Sequence, residues 1–120
     1  MCGIAGIIGP NSVDDERLVK KMLSVIKHRG PDDTRISRLN GACLGHVRLS
    51  IVDLGNGGKQ PSNSESGLSL VFNGMLYNYL ELKNELTQHY NFQSKSDTEV
   101  LLASMDVWGV KCLPKLNGMF

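Results

Sequence analysis

The sequence places a cysteine directly behind its first methionine, in MCGIAGIIGP. A small second residue permits an aminopeptidase to remove Met1, after which Cys2 carries a thiol and a free α-amine on one residue. An α-amine has a reference pKa of about 7.7–8.0 and a thiol about 8.5, so the amine can take the thiol proton near neutral pH, directly or through water. Nucleophile and base would then be pre-assembled. Gly3 suits this by letting backbone and substrate approach closely, and it suits a tight strand crossing equally well. The plain alternative for Cys2 is a small buried hydrophobe. Such a nucleophile needs donors aimed at a developing oxyanion. Asn73 and Gly74 offer a side-chain amide and a backbone N–H at the end of LSLVF. As an Asn-Gly pair between apolar runs, they read first as a hairpin turn. Arg48 could hold a substrate carboxylate in a bidentate pair, or face solvent, or serve a structural ion pair. Asp97 could hold an ammonium group, and it also falls in a helical first turn, where the dipole favours an acid.

The elements around these residues follow from periodicity and turn chemistry. The first ten residues, apolar with glycines and closed by Pro10, suggest a short buried strand. Ser12 and Asp15 form a capping-box pattern, and Leu18, Met22, Val25 and Ile26 follow at helical spacing until Gly30 and Pro31. After the loop HRGPDD, the stretches RISRL, ACLGHVRLSIVDL and LSLVFNG carry strand patterns, separated by the turn-rich GNGGKQPSNSESG. Asn78 with Glu81 predicts a helix that buries Leu82 and Leu86. Ser96 with Glu99 predicts another, bearing Val100, Leu101, Ser104, Met105 and Trp108 and stopped by Gly109. Strands and helices come in runs without regular βαβ alternation, so the expected class is α+β with mainly antiparallel sheets. The chain ends on the apolar Met119 and Phe120, which we read as a truncation with a further strand missing.

Composition narrows the function classes. Over 120 residues there are 13 basic and 12 acidic side chains, with 41% hydrophobic residues, which is ordinary globular composition sized for one domain. No basic stripe suggests nucleic acid, and no signal peptide or membrane span is evident, so the expected compartment is the cytoplasm. Cys2, Cys43 and Cys112 are too irregularly spaced for a disulfide framework or a paired-ligand metal site. Cys43 and Cys112 read as buried packing.

Seven blocks in order give a resemblance. MCGIAG, HRGPDD, LGHVRLSIVDL, QP, VFNGMLYNY, SDTEVLL and LNGMF together resemble the class II glutamine amidotransferase domain of the asparagine synthetase type, across the full chain. The resemblance implies an N-terminal nucleophile hydrolase fold, a four-layer α/β/β/α sandwich of antiparallel sheets. It implies that Cys2 attacks the side-chain carboxamide of glutamine, with Asn73 and Gly74 as oxyanion donors. Arg48 would hold the substrate carboxylate and Asp97 its ammonium, with Leu49, Ser50, Ile51 and Val52 lining the pocket. Ammonia would pass to a C-terminal synthetase domain that uses ATP and magnesium to amidate aspartate. That domain is not among these residues, which need no cofactor of their own. No histidine base is implied, so His28 and His46 are expected to serve loop and sheet structure. A homodimer is a further possible partner arrangement, since a sheet lacking later strands leaves open edges.

One position departs from the family pattern. Where the motif reads Asn-Gly-Glu-(Ile/Leu)-Tyr-Asn, this chain has Met75 after Gly74. That position borders bound glutamine in the family, and losing one charged contact to a polar substrate costs roughly 1.5–3 kcal/mol, about ten- to a hundred-fold in affinity. Two functions are therefore set against each other: an active glutaminase, and a weakened amidotransferase-like domain with a structural or docking role. A form that retains Met1 has its amine capped and is expected to be inactive.

Overall fold

A computed structural model describes residues 2–50 and 58–120. The described chain is α+β, its sheets are antiparallel, and it divides into two compact units.

The first unit comprises Met1–Ser50, Lys59–Pro61 and Val71–Asn73. Its sheet has the order β1-β3-β2, from β1 (Gly3–Ile8), β2 (Asp33–Leu39) and β3 (Ala42–Arg48). Gly3 faces Val47 on one side of β3, and Asp33 faces Arg48 on the other. The β2–β3 hairpin turns at Gly41, whose φ of 78° is open to glycine at no steric cost. Side chains alternate along a strand, so Cys43 and Val47 share one face of β3 and bury against Val19 and Leu23 of helix α1 (Asp15–Val25), with Ala5, Ile7, Ile26 and Ile36 around them. Burying each such aliphatic chain is worth about 1.5–3 kcal/mol. Leu44, His46 and Arg48 therefore occupy the opposite face.

Helix α1 begins later than the capping pattern predicts, and of its two apolar rows it buries the one through Val19 and Leu23. The Asp15 carboxylate does reach back to the Ser12 N–H, at 2.8 Å, but the Ser12 hydroxyl accepts from Asp14 N at 3.3 Å and the helix opens at Asp15. The buried row is Asp15, Val19 and Leu23, while Leu18, Met22 and Val25 are exposed. Gly45 supplies the reason. A Cβ there would come within 2.7 Å of both Val19 and Leu23, so the missing side chain lets this row, and not its neighbour, settle onto the strand.

The second unit contains the remaining described residues. Strand β4 (Ser62–Asn63) pairs with β5 (Ser69–Leu70), and β6 (Met75–Leu76) pairs with β7 (Gly118–Met119). The strand expected through LSLVFNG is thus only Ser69–Leu70, and its partner lies in the stretch expected to be pure turn. Helices α2 (Tyr79–Leu86) and α3 (Asp97–Trp108) pack together, burying Leu82, Leu86, Val100, Leu101, Leu102 and Ala103. Ser96 caps α3 as predicted, its hydroxyl accepting from Thr98 N at 3.2 Å, and Gly109 ends it with φ 58°. Glu99 instead binds the backbone of Gln93 and Ser94. Asn78 occupies the N-cap of α2 without capping it, because its amide is committed to Lys115 O and Asn117 N, at 2.9 and 3.0 Å. Among the described residues, no helix is long and apolar enough to cross a membrane.

Candidate active site

Continuing the β1–β3 register by one residue sets Cys2 opposite Arg48. Cys2 is half-buried, and its Sγ accepts the Leu49 N–H at 3.3 Å and donates toward the Leu49 carbonyl at 3.5 Å. Arg29 Nε donates to the Cys2 carbonyl at 3.0 Å. The thiol is thus held at the frayed end of the sheet, where pairing stops and polar backbone becomes available.

Gly30 brings the HRGPDD loop to the same strand end. A Cβ on Gly30 would lie 2.4 Å from the Val47 carbonyl and 2.5 Å from Arg48 N, a distance that only hydrogen at this position allows. Pro31 forms an isolated bridge with Arg48, Asp32 N donates to Arg48 O at 3.0 Å, and the Asp32 carboxylate accepts the Ser50 N–H at 2.8 Å. Leu49 and Ser50 are therefore both fixed, by Cys2 and by Asp32. Arg48 is buried, with 6% exposure, which excludes a solvent-facing role. Ile51 and Val52 lie outside the described residues.

The hairpin-turn reading of Asn73 and Gly74 fails on two observations. The strands flanking them pair elsewhere, β5 with β4 and β6 with β7. Neither residue has positive φ, which a two-residue Asn-Gly hairpin turn requires at both positions. Asn73 belongs to the first unit, with Cys2 and Arg48.

Gly74, Met75 and Asp97 belong to the second unit. Asp97 sits in the first turn of α3 at 6% exposure, and its Oδ2 accepts the Leu76 N–H at 3.0 Å. Its place in the first turn is the helix alternative raised from sequence, where the dipole favours its charge; the same carboxylate also orders β6. Met75 is half-buried and pairs across β6–β7 with Met119.

Four residues near these groups were not singled out by sequence reasoning for the contacts they make. Arg29 and Asp32 lie in a block recognisable only as a loop, and Gln60 in a bare Gln-Pro pair. Gln60 is 5% exposed, and its Oε1 accepts the Phe72 N–H at 2.5 Å. His46 is 1% exposed, and burial pushes its pKa below the ordinary 6.5; Arg48 lowers it further, while a hydrogen bond to the Phe72 backbone and Asp33 oppose the shift. It is a neutral imidazole at neutral pH, in a sheet position as expected. Exposed His28 lies in the short 3₁₀ turn Lys27–Arg29.

In the first unit the Cys2 thiol sits on the Leu49 backbone, Arg48 is buried, and Asn73 is released from a hairpin turn. The model of the glutamine amidotransferase domain family matches residues 1–120, and the chain belongs to that family. It is 40% identical over 125 residues to glutamine-hydrolyzing asparagine synthetase 1 of Bacillus subtilis, covering 100% of this chain and 20% of that protein. It is 38% identical over 141 residues to a putative glutamine-hydrolyzing asparagine synthetase 2 of Methanocaldococcus jannaschii, covering 100% of this chain and 27% of that protein. Asparagine synthetase B of Escherichia coli is 37% identical over 122 residues, with 100% and 22% covered. The chain therefore spans 20% to 27% of the length of these relatives.

Proposed function

We propose that this chain, once Met1 is released, hydrolyses glutamine to glutamate and ammonia through a thioester on Cys2. The observation that carries the reading is the seating of Cys2 Sγ on the Leu49 backbone beside buried Arg48, in a unit that also carries Asn73. The α-amine of Cys2 takes the thiol proton as sulfur bonds to the carboxamide carbon. The oxyanion is held by the Asn73 amide and the Gly74 N–H. The C–N bond breaks as the ammonium returns its proton to the leaving ammonia, and water then cleaves the thioester, releasing glutamate and restoring the thiol. Arg48 holds the substrate α-carboxylate and Asp97 its α-ammonium, with Leu49 and Ser50 as pocket wall.

In the same reading the domain has the N-terminal nucleophile hydrolase fold, a four-layer α/β/β/α sandwich. The ammonia serves a synthetase domain, using ATP and magnesium, that amidates aspartate in the cytoplasm. The relatives' names as glutamine-hydrolyzing asparagine synthetases, and their greater length, support the synthetase part of this reading.

The test is to confirm loss of Met1 by mass spectrometry and measure glutamate release. Labelling of Cys2 by a diazoketone analogue of glutamine is followed in parallel. Release and labelling that both vanish in Cys2→Ala are the expected result; a processed protein that shows neither sinks the reading. Met75 favours a second reading, a weakened domain with a docking role. Met75→Glu discriminates: a ten- to hundred-fold fall in KM, on the order of one charged contact, identifies Met75 as the weakening residue. An unchanged KM leaves the second reading without support.

A further inference from the structure

The residue before Asn73 is gripped from two directions by buried polar side chains. Gln60 Oε1 accepts the Phe72 N–H at 2.5 Å. His46 Nε2 has no hydrogen-bond partner among the described residues, so Nδ1 is the nitrogen that meets the Phe72 backbone. The Phe72 backbone bond favours the protonated ring, so the imidazole donates it through Nδ1–H and the Phe72 carbonyl accepts. His46, Gln60 and Phe72 are 1%, 5% and 8% exposed. An imidazole that leaves one nitrogen unpaired in the interior carries a desolvation penalty that an apolar residue would avoid. Packing alone therefore does not account for it.

Geometry links this grip to chemistry. His46 precedes Arg48 by one pleat on the same face of β3, two residues apart, in the strand whose end holds Cys2 through Leu49. The Phe72 carbonyl and N–H bracket the residue whose chain continues directly into Asn73. One rigid strand therefore carries the nucleophile's seat and, through His46, a tether to the segment that bears the oxyanion donors.

We propose that His46, with Gln60, is a positioning pair that fixes Asn73 and the Asn73–Gly74 peptide relative to β3, so that the oxyanion donors are set before substrate arrives. This rests on the glutaminase reading above. Neither residue touches substrate; both act through Phe72. Preorganised donors cost no rearrangement at the moment of reaction, whereas a displacement of about 1 Å can cost on the order of a hundred-fold in rate.

The experiment compares His46→Phe, which fills the space without a donor, with His46→Asn, whose side-chain N–H₂ can take the place of Nδ1–H. Gln60→Leu and Gln60→Glu, which respectively remove and keep the Oε1 acceptor, form a second pair that decides the matter if a His46 variant does not fold. In processed, folded protein, kcat for glutamine falls about ten- to a hundred-fold in the donorless or acceptorless variants, while KM changes less than about three-fold. The affinity of a glutamate γ-aldehyde, whose hemithioacetal with Cys2 presents the oxyanion, falls in step with kcat. Asn and Glu recover most of both. Amide hydrogen exchange at Asn73 and Gly74 is the independent readout and speeds up in the same variants. A wild-type protein without glutaminase activity that nevertheless shows this exchange pattern refutes the functional reading and upholds the tether. Unchanged exchange, or an active wild type whose variants keep kcat and aldehyde affinity, overturns the inference.

Discussion

Replacing Gly30 with alanine tests how the HRGPDD loop is fixed to the strand that carries the site. The backbone there, at φ −146° and ψ 79°, is open to alanine, so the penalty is steric and not conformational. The new methyl would stand 2.4 Å from Val47 C and O and 2.5 Å from Arg48 N. Comfortable carbon contacts are about 3.5–4.0 Å, so one backbone must retreat by roughly 1 Å. Strand β3 cannot, because Val47 is paired with Gly3 on one side and Thr34 on the other. The loop must yield, loosening the Asp32–Arg48 and Asp32–Ser50 hydrogen bonds. Overpacking against fixed backbone costs about 3 kcal/mol, the upper end of the usual range, which for a domain of this size lowers Tm by roughly 10 °C. Urea unfolding followed by circular dichroism measures the loss. Gly67→Ala is the control: φ is 93° but nothing lies within 4 Å of its Cβ, so it costs only the left-handed strain of about 1–2 kcal/mol. A Gly30→Ala loss no larger than that of Gly67→Ala would refute the close-approach argument.

Two further outcomes follow from burial. Iodoacetamide on folded protein should modify half-buried Cys2 well before Cys43 and Cys112; both of these are fully buried, and burial raises their thiol pKa. Peptide mass mapping reads the order, and equal rates at all sites would contradict the packing. Stability should also fall on acidification from about pH 6.5, the ordinary histidine pKa. The unfolded chain binds a proton there that buried His46 refuses, with Arg48 reinforcing the refusal and Asp33 opposing it. The unfolded state then holds more protons, and stability drops as pH falls. Urea midpoints from pH 7.5 to 5 should decline less in His46→Asn than in wild type; parallel curves would contradict a buried neutral imidazole.

Some elements were legible in the sequence because their signals are local. The Ser96 cap, the Gly109 stop, the β2–β3 strands and the burial of Cys43 and Cys112 each depend on a few adjacent residues. The stripe that α1 buries is not legible there, since two apolar rows have similar periodicity and only Gly45 on a distant strand selects between them. Asn78 looked like a helix cap, yet its amide is drawn away by Lys115 and Asn117, far along the chain.

By itself the sequence determined the α+β class, the family and which residue types could do chemistry, because motif blocks and short-range periodicity are written along the chain. Tertiary structure decided what each of those residues does locally. It took Asn73 and Gly74 out of the hairpin by pairing their flanking strands elsewhere, buried Arg48, and set Cys2 on the Leu49 backbone. It also placed His46 and Gln60 around Phe72, a contact that neither residue's motif block indicates. The reason is physical: hydrogen bonds across dozens of residues and the fit of a missing Cβ against distant backbone are properties of packing, and packing exists only once the chain has folded.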